Sequence, residues 1–240
     1  LIKRTNNRQA NELREIKITR NYTKYAEGSV LVEFGNTQVL CNVSVEESLP
    51  PFLKGKNQGW LTAEYSMLPR ATHTRTKRDG VVGKVNSRAQ EISRLIGRSL
   101  RACVDLELLG PRQLVVDCDV IQADGGTRTA SITGGFIALH DAINGLLNSG
   151  KISKNPIKHF LAAISVGVYD GEALLDLDYI EDSNCSMDMN LVMLDNLSIV
   201  EIQGTAEKTA LDRATTNRLI DLAEVGVSQL INLQRGVLKI

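Results

Sequence analysis

The stretch from residue 113 to residue 147 constrains the fold more than any other. Gln113 to Gln122 alternates apolar and polar residues with the period of two that a half-buried strand requires. It runs into Ala123-Asp124-Gly125-Gly126-Thr127-Arg128-Thr129, after which Ile132, Phe136, Ile137, Leu139, His140, Ile143 and Leu147 recur at helical spacing. A strand, a glycine turn and a helix start, in that order, set the unpaired N–H groups of a first helical turn beside the strand's end, which makes a ready anion site. Taken alone, the glycine pair is equally well read as a tight turn.

The remaining elements fit around this unit. Ser29 to Phe34 and Gln38 to Val45 read as antiparallel strands joined at Gly35-Asn36. Residues 53 to 83 show little periodicity and read as a long loop or pair of arms, either functional or disordered. From about Asn86 to Leu106 a helix is expected, with Arg94, Arg98 and Arg101 as an outer stripe that is either solvated or a subunit contact. Arg88 falls on its apolar side and there needs an anionic partner, because a guanidinium cannot shed its charge. Strands are expected at Ala162 to Tyr169, Ala173 to Tyr179, Met187 to Leu194 and Ser198 to Gln203, and a final helix over about Asp212 to Leu233. Nothing marks a linker, so residues 1–240 read as one α+β domain of antiparallel sheets with helices on their faces.

Charge is balanced overall, 28 Lys+Arg against 28 Asp+Glu, which by itself argues against a nucleic-acid binder. By position it is segregated. From Lys54 to Arg101 there are eleven basic residues against three acidic ones, and from Leu161 to Glu207 ten acidic residues with no Lys or Arg. The first segment suits phosphate; the second, without counter-charge of its own, suits a divalent cation. Cys41, Cys103, Cys118 and Cys185 form no C-x-x-C, and a reduced, cytoplasmic setting is expected. No run approaches a membrane span, and Lys3, Arg4 and Arg8 are not followed by an apolar signal region. His73, His140 and His159 are too scattered for a zinc motif, and His140 reads as a core or interface histidine rather than a catalyst. There is no nucleophile elbow and no P-loop.

Two constellations carry chemistry. If the strands ending at Tyr179 and starting at Met187 pair, they bring Asp182 and Asp188 together, with Asp176, Asp178 and Glu181 nearby. Two such carboxylates repel unless one is protonated or a cation lies between them, and Mg²⁺ or Mn²⁺ with substrate phosphate completing the shell would suit. An exposed acidic turn accounts for the same spacing. The second constellation is Gly125 to Thr129 with Arg88: backbone N–H groups, hydroxyls and two guanidiniums matched to a tetrahedral dianion. Together they suggest phosphoryl transfer on a polyanion. Only ten residues are Phe, Trp or Tyr and no stacking platform is visible, so base reading is expected to be poor.

The chain resembles the ribonuclease PH family of phosphorolytic exoribonucleases. The resemblance rests on Ala26-Glu27-Gly28-Ser29-Val30, on the run from Gly59 to Thr72, on that from Cys118 to Gly134, and on Glu181-Asp182-Ser183, Asp188-Met189-Asn190 and Glu201 to Glu207. It implies a fold like the second domain of ribosomal protein S5 and a homo-oligomeric ring, a hexamer arranged as a trimer of dimers. It implies that inorganic phosphate attacks the 3′-terminal phosphodiester of RNA, trimming tRNA precursors and releasing nucleoside diphosphates. Arg88, Gly126, Thr127 and Arg128 are then the phosphate-binding residues, Asp182 and Asp188 the catalytic and metal-linked pair, and Arg70, Arg75 and Arg78 RNA contacts. Where the family carries Arg-x-Asp-Gly-Arg before Glu-Leu-Arg, this chain has Arg4-Thr5-Asn6-Asn7-Arg8 before Glu12-Leu13-Arg14. The helix entry reads Ser87-Arg88-Ala89, and Ser186 stands where an auxiliary carboxylate is usual. The alternatives are a ring-forming RNA-binding subunit that has lost catalysis, which should lack one constellation, and a hydrolytic nuclease, which would not need phosphate.

Overall fold

The structure of the protein, a computed structural model, describes residue 4 and residues 7–78, 81, 83, 86–206, 210 and 212–240. Lys3, and Asp79, Lys84 and Glu207 of the charge pattern, lie outside them. The described elements are β1 (Ile16–Arg20), β2 (Gly28–Phe34), β3 (Thr37–Glu46), β4 (Trp60–Met67), α1 (Ser87–Ala102), α2 (Leu106–Leu109), β5 (Gln113–Gln122), α3 (Thr127–Asn148), β6 (Leu161–Tyr169), β7 (Glu172–Leu175), α4 (Tyr179–Asn184), β8 (Met187–Leu194), β9 (Ile199–Ala206) and α5 (Arg213–Leu238).

The strands form two sheets, ordered β1-β2-β3-β5-β4 and β7-β6-β8-β9. Every pair is antiparallel except β4 with β5. Helix α3 packs on β2 and β3 of the first sheet and on β6 of the second. It is therefore buried on nearly all sides rather than on one stripe, and Phe136, Ile137 and Leu139 are fully enclosed. Both sheets and α3 share one apolar core, α1 covers β4, and α5 covers β6 and β7. His140 is buried in that core, with Asn144 Nδ2 3.1 Å from its Nδ1, as a structural histidine should be. All four cysteines are free and buried.

Two expectations are corrected. Residues 53–83 are not wholly loop: Leu61, Ala63 and Tyr65 alternate inward on β4, an edge strand that pairs in parallel with β5, some fifty residues away. A one-sided strand containing Thr, Ala and Glu is weakly marked, and a non-local partner leaves no hairpin signal. Nor do the strands around the acidic loop pair with each other. β6 lies between β7 and β8 and bonds to both, because Asp170-Gly171 folds β7 back on β6 as a hairpin. β7 stops at Leu175. Asp178 instead caps α4, its side chain accepting from Glu181 N while the Glu181 carboxylate accepts from Asp178 N, a capping box.

Candidate active site

Gly126 is the N-cap of α3 in the left-handed region, at φ 66° and ψ 25°, and Gly125 is also left-handed at φ 78°. A side chain at Gly125 is excluded twice over: by its φ, and because a Cβ there would lie 2.6 Å from the Leu177 oxygen and the Asp178 carbonyl carbon. That close approach presses the glycine turn onto the start of α4 and so joins the two constellations.

The carbonyls of the turn are held from behind. The Arg14 guanidinium donates to Asp124 O at 2.6 Å, and the Thr37 hydroxyl donates to Gly125 O at 2.7 Å. Thr129 Oγ1 and Ala130 N donate to Gly126 O. With its carbonyls engaged, the turn is left with the N–H groups of the first turn of α3 as its unpaired backbone donors. Thr127 Oγ1 lies 2.8 Å from the hydroxyl of Tyr65, whose pKa burial pushes up to about 12. A neutral tyrosine can donate to Thr127 Oγ1, which frees the threonine proton for a ligand.

A cavity of about 400 Å³, a typical size for a small-ligand site, is lined by Arg88, Gly126, Thr127, Arg128, Asp182 and Asp188 together. All six residues expected for phosphate and metal thus meet in one place. Arg88 is exposed to this cavity rather than buried, and it has no ion pair with a described residue, so the anionic partner expected for it is not supplied by the described chain. Arg128 is held in place: its Nη1 donates to Gln203 Oε1 at 2.8 Å and lies 3.6 Å from Glu91 Oε1, while Gln203 Nε2 donates to the same Glu91 oxygen. Burial raises the pKa of Asp182 above the usual carboxylate range and the charge of Asp188 adds to it, with Arg88, Arg128 and Arg14 pulling the other way. The carboxyl is open to the cavity, yet the surrounding walls strip part of its water.

Among the described residues no group of three His, Cys, Asp or Glu could cage a metal. Two carboxylates on one cavity with Arg88, Arg128 and the glycine turn still suit Mg²⁺, which commonly binds one or two carboxylates and takes waters and substrate phosphate for the rest. Zinc, which needs a fuller protein ligand set, is not suited.

The acidic segment is not without counter-charge. Arg4 donates to both oxygens of Glu181, at 2.7 and 2.8 Å. Arg8 lies 3.4 Å from Glu181, and Arg14 lies 2.7 Å from Asp176. Arg98 pairs with Glu201 and Arg235 with Asp195. These cations come from distant segments, so a local count missed them. Of the outer stripe on α1, Arg101 stacks over the Trp60 ring at 4.5 Å and donates to Leu61 O, and Arg94 is exposed. The Ser186 hydroxyl donates to Val168 O.

Arg70, Arg75 and Arg78 are exposed and do not line the cavity. Arg70 lines a depression that shares Thr72, His73 and Ala123 with it, and Arg78 a groove that shares Met67 and Arg88. Sequence reasoning missed Glu91, Gln203 and Tyr65. Glu91 carries a faint signal, one turn after Arg88 on α1; the others are visible only once the chain is folded. It also missed an aromatic pair in the cavity wall, His73 and Tyr179, with ring centroids 5.1 Å apart.

A sequence model described as the 3′ exoribonuclease family, domain 1, matches residues 12–143, and its domain 2 counterpart matches residues 159–226. Among solved structures the chain is similar to rice (Oryza sativa) Rrp46, with a TM-score of 0.78 and 22% identity over 98% of this chain and 100% of that one. It is also similar to a chain of the Archaeoglobus fulgidus exosome with RNA bound to the active site, with a TM-score of 0.75 and 20% identity over 99% of this chain and 92% of that one. At such identities the likeness to these two is one of fold.

Proposed function

The chain belongs to the ribonuclease PH family of 3′ exoribonucleases, and from that premise we propose that it is a phosphate-dependent 3′→5′ exoribonuclease acting on tRNA precursors. The observation that carries the reading is the meeting of Arg88, Arg128, Asp182 and Asp188 in one cavity. Two anions must come together in this reaction. Arg88, Arg128 and the first-turn N–H groups of α3 hold inorganic phosphate and offset its charge, while Asp182 and Asp188 are the residues that would hold a divalent cation. Bound there, Mg²⁺ or Mn²⁺ would neutralise charge on the transferring phosphoryl group and on the departing 3′-oxygen. A phosphate oxygen forms the new P–O bond, the bond to the 3′-oxygen of the penultimate nucleotide breaks, and the terminal nucleotide leaves as its diphosphate. Arg70, Arg75 and Arg78, in depressions and loops adjoining the cavity, would guide the incoming RNA backbone by charge. A cytoplasmic homohexameric ring, a trimer of dimers, is part of the same proposal; no described helix is long and apolar enough to cross a membrane.

The test is a product assay on CCA-extended tRNA with Mg²⁺, with and without phosphate. Nucleoside diphosphates that appear only with phosphate are the expected result. Monophosphates independent of phosphate would mean hydrolysis, and RNA bound without product would assign the chain to ring subunits without turnover. Arg128→Ala should raise the KM for phosphate by roughly 10- to 150-fold, equivalent to about 1.5–3 kcal/mol for a charge-assisted hydrogen bond, with assembly unchanged. An unchanged KM would remove Arg128 from the phosphate site.

A further inference from the structure

The wall formed by His73 and Tyr179 is not explained by folding. Tyr179 is 47% exposed and His73 is exposed, so neither ring contributes much to the core. No described residue hydrogen-bonds the Tyr179 hydroxyl. Yet the two rings meet with centroids 5.1 Å apart and planes at 40°, and both line the cavity that holds Arg88, Arg128, Asp182 and Asp188. Tyr179 is the first residue of α4 and Asp182 stands three residues on, so the ring and the carboxylate share one helix face. Tyr179 N also donates to Asp124 Oδ1 at 3.4 Å, tying this face to the glycine turn.

We propose that His73 and Tyr179 are the stacking wall for the 3′-terminal nucleobase of RNA. The inference rests on the phosphorolytic reading of the cavity, since a nucleotide whose 5′-phosphate lies among the arginines must put its base within one nucleoside's reach of them. A tyrosine ring with a tilted imidazole beside it offers a planar apolar surface to a base. Stacking of this kind accepts any base, because every base has a π-face. This is what an enzyme that removes successive nucleotides of different identity requires, and it revises the expectation that the chain lacks a stacking platform.

The experiment is equilibrium titration of the full chain, in Mg²⁺ buffer, with ADP, UDP and inorganic pyrophosphate, the last carrying two phosphates and no base. Tyr179→Ala should weaken ADP and UDP by between about five-fold and 150-fold and leave pyrophosphate unchanged. Tyr179→Phe should bind all three as wild type does, and His73→Ala should show a smaller loss confined to the nucleotides. In turnover, Tyr179→Ala should raise the KM for RNA without altering that for phosphate. Equal loss of ADP and pyrophosphate, or loss of neither, would overturn the proposal. Should wild-type protein release no diphosphates from RNA, the phosphorolytic reading fails while the contrast between ADP and pyrophosphate still tests the wall.

Discussion

Replacing Asp182 or Asp188 with asparagine should lower kcat for nucleoside diphosphate release by about 10²–10⁴-fold and leave phosphate binding in place. The two carboxylates face one cavity without a described basic residue in ion pairing with either, and burial together with the Asp188 charge already penalises ionised Asp182. Asparagine keeps the shape but cannot carry the charge that holds a cation. The same change relieves repulsion, so thermal stability should hold or rise slightly as activity falls. That combination separates a functional carboxylate from a structural one, because a structural carboxylate loses stability when neutralised. Steady-state product release, phosphate titration and thermal unfolding of each variant give the three readings. Strong residual turnover in both variants would place the chemistry elsewhere.

Arg14→Met acts in the opposite sense, and its expected effect on stability is the larger. The Arg14 side chain is 4% exposed and that of Asp176 is 0% exposed. Arg14 Nε and Nη2 donate to the two oxygens of Asp176 at 3.1 and 2.7 Å, Arg14 N donates to Asp176 Oδ2 at 2.8 Å, and Nη1 donates to Asp124 O. Removing the cation leaves the buried Asp176 carboxylate with the Arg14 backbone N–H and a longer contact to Arg8 at 3.9 Å in place of its bidentate partner, which costs about 3–5 kcal/mol. For a chain of this size that is a fall in Tm of roughly 6–20 °C. Arg14 also braces the glycine turn, so the KM for phosphate should rise at temperatures where the variant is still folded. Asp176 itself has φ 55°, a conformation asparagine tolerates, which makes Asp176→Asn the clean partner for a double-variant cycle. The two losses should be less than additive by about 0.5–3 kcal/mol. Additive losses would mean that the two side chains stabilise the fold independently.

Local signals suffice wherever an element is defined by its own residues. Gln113–Gln122 is the strand its alternation predicts, and α3 begins at Thr127, just after the two glycines. The hairpin at Gly35-Asn36 and the core placement of His140 follow from the same kind of evidence. The four residues expected to bind phosphate and the two aspartates, which stand in recognisable motifs, line one cavity. Elements whose identity depends on a distant partner are not legible in local pattern. β4 is held by β5, and the supposed strand pairing beside the acidic loop is replaced by an intervening β6.

The charge pattern shows the same division. Taken along the chain, residues 161–207 hold carboxylates with no Lys or Arg among them, and that is true of the sequence. In the folded chain Arg4, Arg8 and Arg14 neutralise Asp176, Asp178 and Glu181, and this leaves Asp182 and Asp188 to face the cavity. Arg4 and Arg8 remain in a segment that otherwise departs from the family pattern, and each reaches Glu181. The sequence by itself determined the residue types, the glycine turn and the membership of two constellations, because these depend on covalent neighbours and short-range periodicity. Which carboxylates are neutralised, which arginine is held by Gln203 and Glu91, and which aromatic rings stand in the cavity wall were decided only by the tertiary structure. The reason is physical: electrostatic and stacking partners act over a few ångströms of space, and these partners lie up to about 180 residues apart along the chain.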